Sequence, residues 1–264
     1  MATTGVDAPG RAQVGVKTLR TDAWWIQPAL VVLGLTAFVA YGVWRVFWGS
    51  HTYYSAPYQS IFYSPCIADS CVPGTNEFAF IGSWWAWTPA LLVAWIPLGF
   101  RLTCYYYRKA YFRSYWLSPP ACAVPEPRKS YTGERRFPLI LNNSHRWFFY
   151  LGMLLALILT YDAVLAFRNP QGQWGHMGLG TVLLVVNAFC LWAYTLSCHS
   201  CRNTIAGRLN HFSKHPLRYR MWTIVSRWNR HHPKWAWISL ATIVIADYYV
   251  YLLASGHLTD PRFF

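Results

Sequence analysis

A pair of cysteines in the segment SCHSCR is the most chemically informative feature of this sequence. Cys198 and Cys201 flank His199 and Ser200. Two thiols at this spacing can chelate one metal ion or cycle between dithiol and disulfide. Because the segment follows a long apolar stretch, we expect it at a helix C-terminus, where the helix dipole disfavours a thiolate. That argument favours a metal over a redox dithiol, and a structural role as two small apolar side chains stays open.

Other thiol and imidazole donors lie at the ends of neighbouring apolar stretches, at the same expected depth. They are Cys104, Cys122, His145, His231 and His232. Thiolate and imidazole ligands together suit zinc or an iron–sulfur cluster, and two of each would be Rieske-like. The sequence lacks the paired Cys-x-His and Cys-x-x-His loops of usual Rieske proteins, so only the ligand types suggest such a cluster.

Haem b is the competing cofactor, because helix bundles often hold haem between two histidines. That arrangement needs histidines inside the spans, and all nine His residues lie at span ends or in loops. A haem near the outer face remains an alternative and would use His51, His176 or His257.

The elements that position these residues are predicted to be five transmembrane helices in one all-α bundle. The chain is 55% hydrophobic and 12% charged, whereas soluble domains average about 25% charged residues. Apolar stretches long enough to cross a hydrocarbon core of roughly 30 Å occur near 24–48, 84–104, 146–167, 177–197 and 235–255. Residues 1–23 are then a cytoplasmic tail, and 24–264 form a single membrane domain.

Basic residues predict the orientation of the bundle. Twenty of the 23 Lys and Arg residues lie in 1–23, 101–146 and 199–234. By the positive-inside rule these stretches face the cytoplasm, so the N-terminus is inside and the C-terminus outside the inner (plasma) membrane. The net charge of +14 flanks apolar spans. This placement favours anionic membrane lipid over nucleic acid as the partner of the charge.

The outer loop 49–83 and two intramembrane charges add further predictions. Cys66 and Cys71 predict a local disulfide, because the outside is oxidising and no His accompanies them. Asp247, near mid-depth in the fifth span, indicates a proton path, an ion pair with Arg45 or a structural hydrogen bond. Arg45 could otherwise extend to the interface by snorkelling. The aromatic, basic inner loops fit either a docking surface for a partner protein or contact with lipid headgroups.

Several longer segments then resemble a known family. FRLTCYYYRKAYFR, SPPACAVPEP, RFPLILNNSHRWFFY, LSCHSCR and the terminal DPRFF resemble the membrane-anchor (C) subunit of actinobacterial succinate dehydrogenases, respiratory complex II. The resemblance covers most of residues 50–264. It implies a complex of the tricarboxylic acid cycle and respiratory chain. There a flavoprotein (A) subunit oxidises succinate, an iron–sulfur (B) subunit relays electrons, and quinone is reduced in the membrane. The chain itself would have no succinate chemistry and no catalytic residue of its own.

The resemblance also implies a single-chain anchor with a membrane-embedded Rieske-type 2Fe–2S cluster instead of haem. Its expected ligands are Cys198, Cys201, His145 and His232, with Cys104, Cys122 and His199 in reserve. Arg146 and Trp147 are expected to contact the head of a quinone, of which menaquinone is the expected type. Interfacial anchoring would explain these two residues as well. Relatives often have His where this chain has Asn203, so we do not expect a ligand there.

Two other classes of protein stay open. A stand-alone membrane thiol–disulfide oxidoreductase would use Cys198 and Cys201 with a quinone, but without iron and without partner subunits. A structural or transport protein would bind zinc at the inner face and show no redox signal. Iron content and co-purifying subunits separate these classes from an electron-transfer anchor. The oligomeric state is also open, including a higher oligomer.

Overall fold

The described part of the chain is mainly helical. The structure, a computed structural model, describes residues 20–55, 57–72, 81–124, 126 and 135–264. Most of the predicted tail 1–23 therefore lies outside the described residues. One antiparallel hairpin joins β1 (Tyr53–Tyr54) and β2 (Tyr58–Gln59). The helices are α1 (Ile26–Phe47), α2 (Leu91–Leu102), α3 (Tyr105–Ser114), α4 (His145–Leu165), α5 (Leu179–Leu196), α6 (His199–Ala206), α7 (Pro216–Asn229) and α8 (His232–Ala254).

These elements form two compact units. One unit holds the described parts of Met1–Ala37 and Thr103–Asn143. Within it, the Tyr115 hydroxyl donates to the Val32 carbonyl over 3.1 Å, which ties the end of α3 to α1. The other unit holds the described parts of Phe38–Leu102 and Ser144–Phe264, including α4 to α8.

Four helices in the described part of the chain are long and apolar enough to cross a membrane. They are Ile26–Phe47, Leu139–Leu165, Leu179–Leu196 and His232–Ala254, with 22, 27, 18 and 23 residues. The second of them begins with a short 3-10 turn, Leu139–Ser144, that leads into α4. Their exposed leucines and isoleucines, such as Leu33, Leu154 and Ile245, suit a hydrocarbon environment. The prediction of an all-α, multi-pass membrane protein is confirmed at this level.

The second predicted span is helical only in part. Helix α2 has 12 residues, about 18 Å at 1.5 Å per residue, and begins at Leu91 instead of near residue 84. Pro89 explains the late start, because proline disfavours a helical conformation at the residue before it. Gly99 lies so close to Phe148 of α4 that an added Cβ would approach that ring within 2.1 Å. The five-span count and the orientation of the termini stay predictions.

A polar loop fills one end of the second unit. The hairpin and the 3-10 turn Ile61–Tyr63 that follows it insert between the helices. The side chains of Tyr58 and Ser60 are completely buried. The Tyr58 hydroxyl donates to Asp260 over 2.8 Å. Gly180 makes room for this ring, because an added Cβ would approach it within 2.3 Å. The predicted bond between Cys66 and Cys71 is formed in the same loop.

Asp247 and Arg45 form an ion pair in this end of the unit. Arg45 Nε lies 2.7 Å from Asp247 Oδ2, and both side chains are 0% exposed. The Tyr41 hydroxyl donates to the same carboxylate oxygen over 2.5 Å, and Ser60 donates to the other oxygen. The ion-pair interpretation of Asp247 is confirmed. The snorkelling interpretation of Arg45 is wrong, because its guanidinium points into the protein, where the carboxylate neutralises it.

Candidate functional site

Cys198 lies where the chain passes from α5 to α6. Helix α5 ends at Leu196, and Cys198 is the N-cap of α6, with its sulfur accepting from the Ser200 N–H over 3.4 Å. The side chain is buried. The expected position just after a helix C-terminus is confirmed, but the expectation did not include a second helix. A second helix starts at this point, and the partial positive charge of its N-terminus favours the thiolate.

His145, the first residue of α4, contacts this cysteine. Its Nε2 lies 3.0 Å from Cys198 Sγ. The imidazole stacks on Phe100 of α2, with ring centroids 5.1 Å apart and planes 11° apart. Two of the four expected ligands are thus brought together, and Phe100 holds the plane of the histidine.

His232, the first residue of α8, is held in a similar way. Its Nδ1 lies 2.8 Å from the Ser197 hydroxyl, and its ring stacks on Tyr194 with centroids 4.9 Å apart. The neighbouring His231 is exposed, whereas His232 is buried. Only His232 of this adjacent pair therefore turns into the protein. A metal would have to bind Nε2, because the serine occupies Nδ1.

An aromatic layer and a cation connect the two histidines. Tyr194 lies 5.3 Å from Phe100, so the rings of His145, Phe100, Tyr194 and His232 follow one another. The Arg101 guanidinium lies 4.7 Å from the Tyr194 centroid and donates to the Ser239 hydroxyl over 3.1 Å. These supporting side chains were not among the residues predicted from the sequence. The only feature of the sequence that pointed to them was their closeness in sequence to the expected ligands. Arg101 was counted only as one of the basic residues of the stretch 101–146.

The remaining expected ligands are placed differently. Cys201 is buried within α6, and this burial raises the pKa of its thiol. His199 is exposed. Cys104, the N-cap of α3, and Cys122 belong to the other compact unit. Across the described residues, no three His, Cys, Asp or Glu side chains are grouped so as to hold a metal ion. The donors near Cys198 thus have suitable types and burial, but the structure does not bring all four together.

The two expected quinone contacts lie at the start of α4. Arg146 donates to the side-chain oxygen of Asn203, which connects α4 to α6. Trp147 is 69% exposed, as a side chain at a membrane interface would be. Their role toward a quinone stays a prediction. Asn203, which we did not expect to be a ligand, instead positions the arginine.

The chain matches the family model described as actinobacterial succinate dehydrogenase subunit SdhC, over residues 26–256. It belongs to that family. Among solved structures it is similar to a chain of the Mycobacterium smegmatis Sdh1 complex in the apo form. The two share 51% sequence identity over 98% of each chain, with a TM-score of 0.88. No curated protein matches the chain.

Membership of the SdhC family confirms the resemblance seen in the sequence. The chain is a membrane subunit of succinate dehydrogenase. The haem alternative relied on His51, His176 and His257. In the structure His51 Nδ1 lies 3.3 Å from the Ala254 carbonyl, and His257 Nδ1 lies 2.7 Å from the Ser255 hydroxyl.

Proposed function

We propose that this subunit anchors the flavoprotein and iron–sulfur subunits at the cytoplasmic face of the membrane and conducts their electrons to a quinone. The electrons would pass through a Rieske-type 2Fe–2S cluster held near Cys198. The observation that best supports this proposal is the 3.0 Å contact between His145 and Cys198, made by two buried or half-buried donors of the required types. Family membership supports the anchoring role.

The residues near Cys198 fit such a group by chemistry and burial. Cys198 and Cys201 would supply thiolates, and His145 and His232 would supply neutral imidazoles. The bound cluster supplies a one-electron carrier. The chain's own contribution is to exclude water, to fix the His232 ring through Ser197 and to hold both imidazole planes against aromatic rings.

The quinone head would bind near the start of α4. An arginine has five N–H donors, so Arg146 keeps donors for a quinone oxygen after bonding to Asn203. The exposed indole of Trp147 could donate in the same way. Menaquinone is the expected quinone. The basic stretches 101–146 and 199–234 would lie on the cytoplasmic side of the membrane, which is also the side of the soluble subunits.

The second candidate function is that of a thiol–disulfide oxidoreductase using Cys198 and Cys201. The position of Cys198 at a helix N-terminus favours it, because such cysteines ionise readily. Access argues against it, because these residues are only 1% and 6% exposed and thiol exchange needs contact with a second sulfur. The cluster is therefore the better supported proposal.

Iron, acid-labile sulfide and low-temperature electron paramagnetic resonance test this choice on the purified chain in detergent, after removal of partner subunits. We expect about two irons and two sulfides per chain and a signal of low average g. Cys198→Ser should remove both, whereas Cys190→Ser, which changes a buried cysteine within α5, should keep both. A chain without iron, or full iron in Cys198→Ser, would contradict the proposal.

A further inference from the structure

Helix α7 presents a narrow apolar stripe on its surface. Four of its side chains remain substantially exposed, namely Leu217 (71%), Met221 (45%), Ile224 (50%) and Trp228 (38%). At 3.6 residues per turn these positions fall within an arc of about 60°. Such a spacing is typical of a helix that buries one face against an apolar phase.

A different face of α7 packs on the protein. Trp222 lies on that face, with the Arg202 guanidinium of α6 4.6 Å from its ring centroid. Arg218 donates to the Ile205 carbonyl over 2.6 Å. Contacts with α5 and α6 thus fix how α7 is rotated about its own axis. The apolar stripe is therefore held at the surface by the fold.

The stripe continues the surface that two spanning helices expose. Trp228, at its end, stacks on Trp235 of α8 with ring centroids 6.4 Å apart and planes 25° apart. Trp235 in turn lies edge-on to Phe189 of α5, at 6.0 Å, and Phe189 is 56% exposed within its span. Exposed apolar side chains within a membrane span suit a hydrocarbon environment. The stripe therefore begins where this lipid-facing surface ends.

Two arginines lie beside the stripe. Viewed along the helix axis, Arg220 and Arg227 lie about 70° and 90° from the centre of the stripe, on the side away from the packed face. Both are exposed. The sequence contains no Asp or Glu from residue 163 to residue 246. Every charged side chain of α6 and α7 is therefore basic, and this charge complements an anionic headgroup layer.

We propose that α7 is an interfacial helix that inserts this stripe into the membrane surface and binds anionic phospholipid headgroups through Arg220 and Arg227. The arginines would extend their apolar stems along the bilayer and place their charges among the phosphates. Continuity with the surfaces of α5 and α8 favours lipid over a protein partner, because a protein bound there would have to extend into the bilayer.

Site-specific photocrosslinking tests the position of the stripe. The assembled complex is placed in vesicles of equal phosphatidylglycerol and phosphatidylcholine, with either Met221 or Tyr219 replaced by the photoreactive residue p-benzoylphenylalanine. Both native side chains have similar exposure, 45% and 47%, but lie on different faces of α7. We expect lipid adducts from position 221 and few from 219. Equal capture at both positions, capture of a protein subunit at 221, or no lipid adduct would overturn the proposal.

The headgroup preference is tested on the same crosslinked material. An arginine near an anionic surface contributes about fivefold in affinity, so phosphatidylglycerol should exceed phosphatidylcholine several-fold among the adducts at position 221. Arg220→Gln with Arg227→Gln should bring the ratio close to one. As a control, Lys234→Gln changes a basic residue outside α7 and should leave the ratio unchanged. Adducts in the ratio of the bilayer itself would refute the role of the arginines.

Discussion

Replacing Asp247 with Asn tests whether the buried ion pair holds the bundle together. The native carboxylate accepts hydrogen bonds from Arg45, Tyr41 and Ser60 in a site with 0% exposure of both charged side chains. Asp247→Asn is nearly isosteric, so it changes charge more than packing. Arg45 would keep its hydrogen bond to the Ser50 carbonyl at 3.0 Å but would lose its counter-ion.

The expected loss is large because removing one partner leaves a charge uncompensated in a low-dielectric site. Breaking a buried pair in this way costs about 3 to 5 kcal/mol. A chain of this length loses roughly 2 to 4 °C per kcal/mol, so Tm should fall by about 10 °C. Arg45→Met should cost less, because the remaining carboxyl group keeps Tyr41 and Ser60 as donors. The double variant Arg45→Met with Asp247→Asn should recover at least about 2 kcal/mol relative to Asp247→Asn.

Thermal unfolding of the detergent-solubilised complex, followed by loss of its monodisperse chromatographic peak, measures these differences. Asp22→Asn is the control, because Asp22 forms an exposed pair with Arg20 and its loss should leave Tm unchanged. The reasoning is refuted if the Tm of Asp247→Asn equals that of the wild-type protein. It is equally refuted if the double variant is as unstable as the sum of its single changes, since the two charges would then be uncoupled.

Three further variants test other contacts. Changing Cys66 and Cys71 together to Ser opens a loop of about six residues, so it should lower the unfolding free energy by about 2 kcal/mol in non-reducing melts, and an unchanged Tm would contradict this. Ser197→Ala should weaken iron retention during dialysis against a chelator about tenfold, and unaltered retention would remove its proposed role. Gly99→Ala should destabilise by about 1 to 3 kcal/mol, whereas Gly42→Ala, whose Cβ meets ordinary 3.6 Å contacts, should not.

Hydropathy located the spanning helices well, because each needs a long run of apolar residues. The predicted spans 24–48, 146–167, 177–197 and 235–255 each contain most of a long apolar helix. The same criterion could not find the start of α2, because Trp84 and Trp85 are apolar whether or not they are helical. The effect of Pro89 on the backbone is lost when hydropathy is averaged over a window of residues.

The many basic residues of the stretch 199–234 made helices α6 and α7 hard to recognise in the sequence. The stretch 199–234 was expected to be a basic loop, yet it contains α6 and α7. The spacing of Leu217, Met221, Ile224 and Trp228 and the proline at the first helical position could have identified α7. The insertion of Tyr58 and Ser60 had no such sequence signal. Polar residues predict a solvated loop, and their burial depends on carboxylates almost 190 residues or more away in sequence.

The two ends of the second compact unit differ in the types of polar side chain that they contain. This difference determines which ligand the end near Cys198 could hold. At the Arg45 end, Asp247, Asp260 and Asp162 accept hydrogen bonds from hydroxyl groups of the inserted loop. Cys198 lies within residues 163–246, a stretch of the sequence that has no carboxylate at all, and α2 and the first turn of α4 add none. Hard cations such as magnesium or calcium prefer oxygen ligands, which this stretch supplies only as hydroxyl, amide and backbone oxygens. Buried sulfur and imidazole donors instead suit iron in an electron carrier, and so they favour a cluster over a hard-cation site.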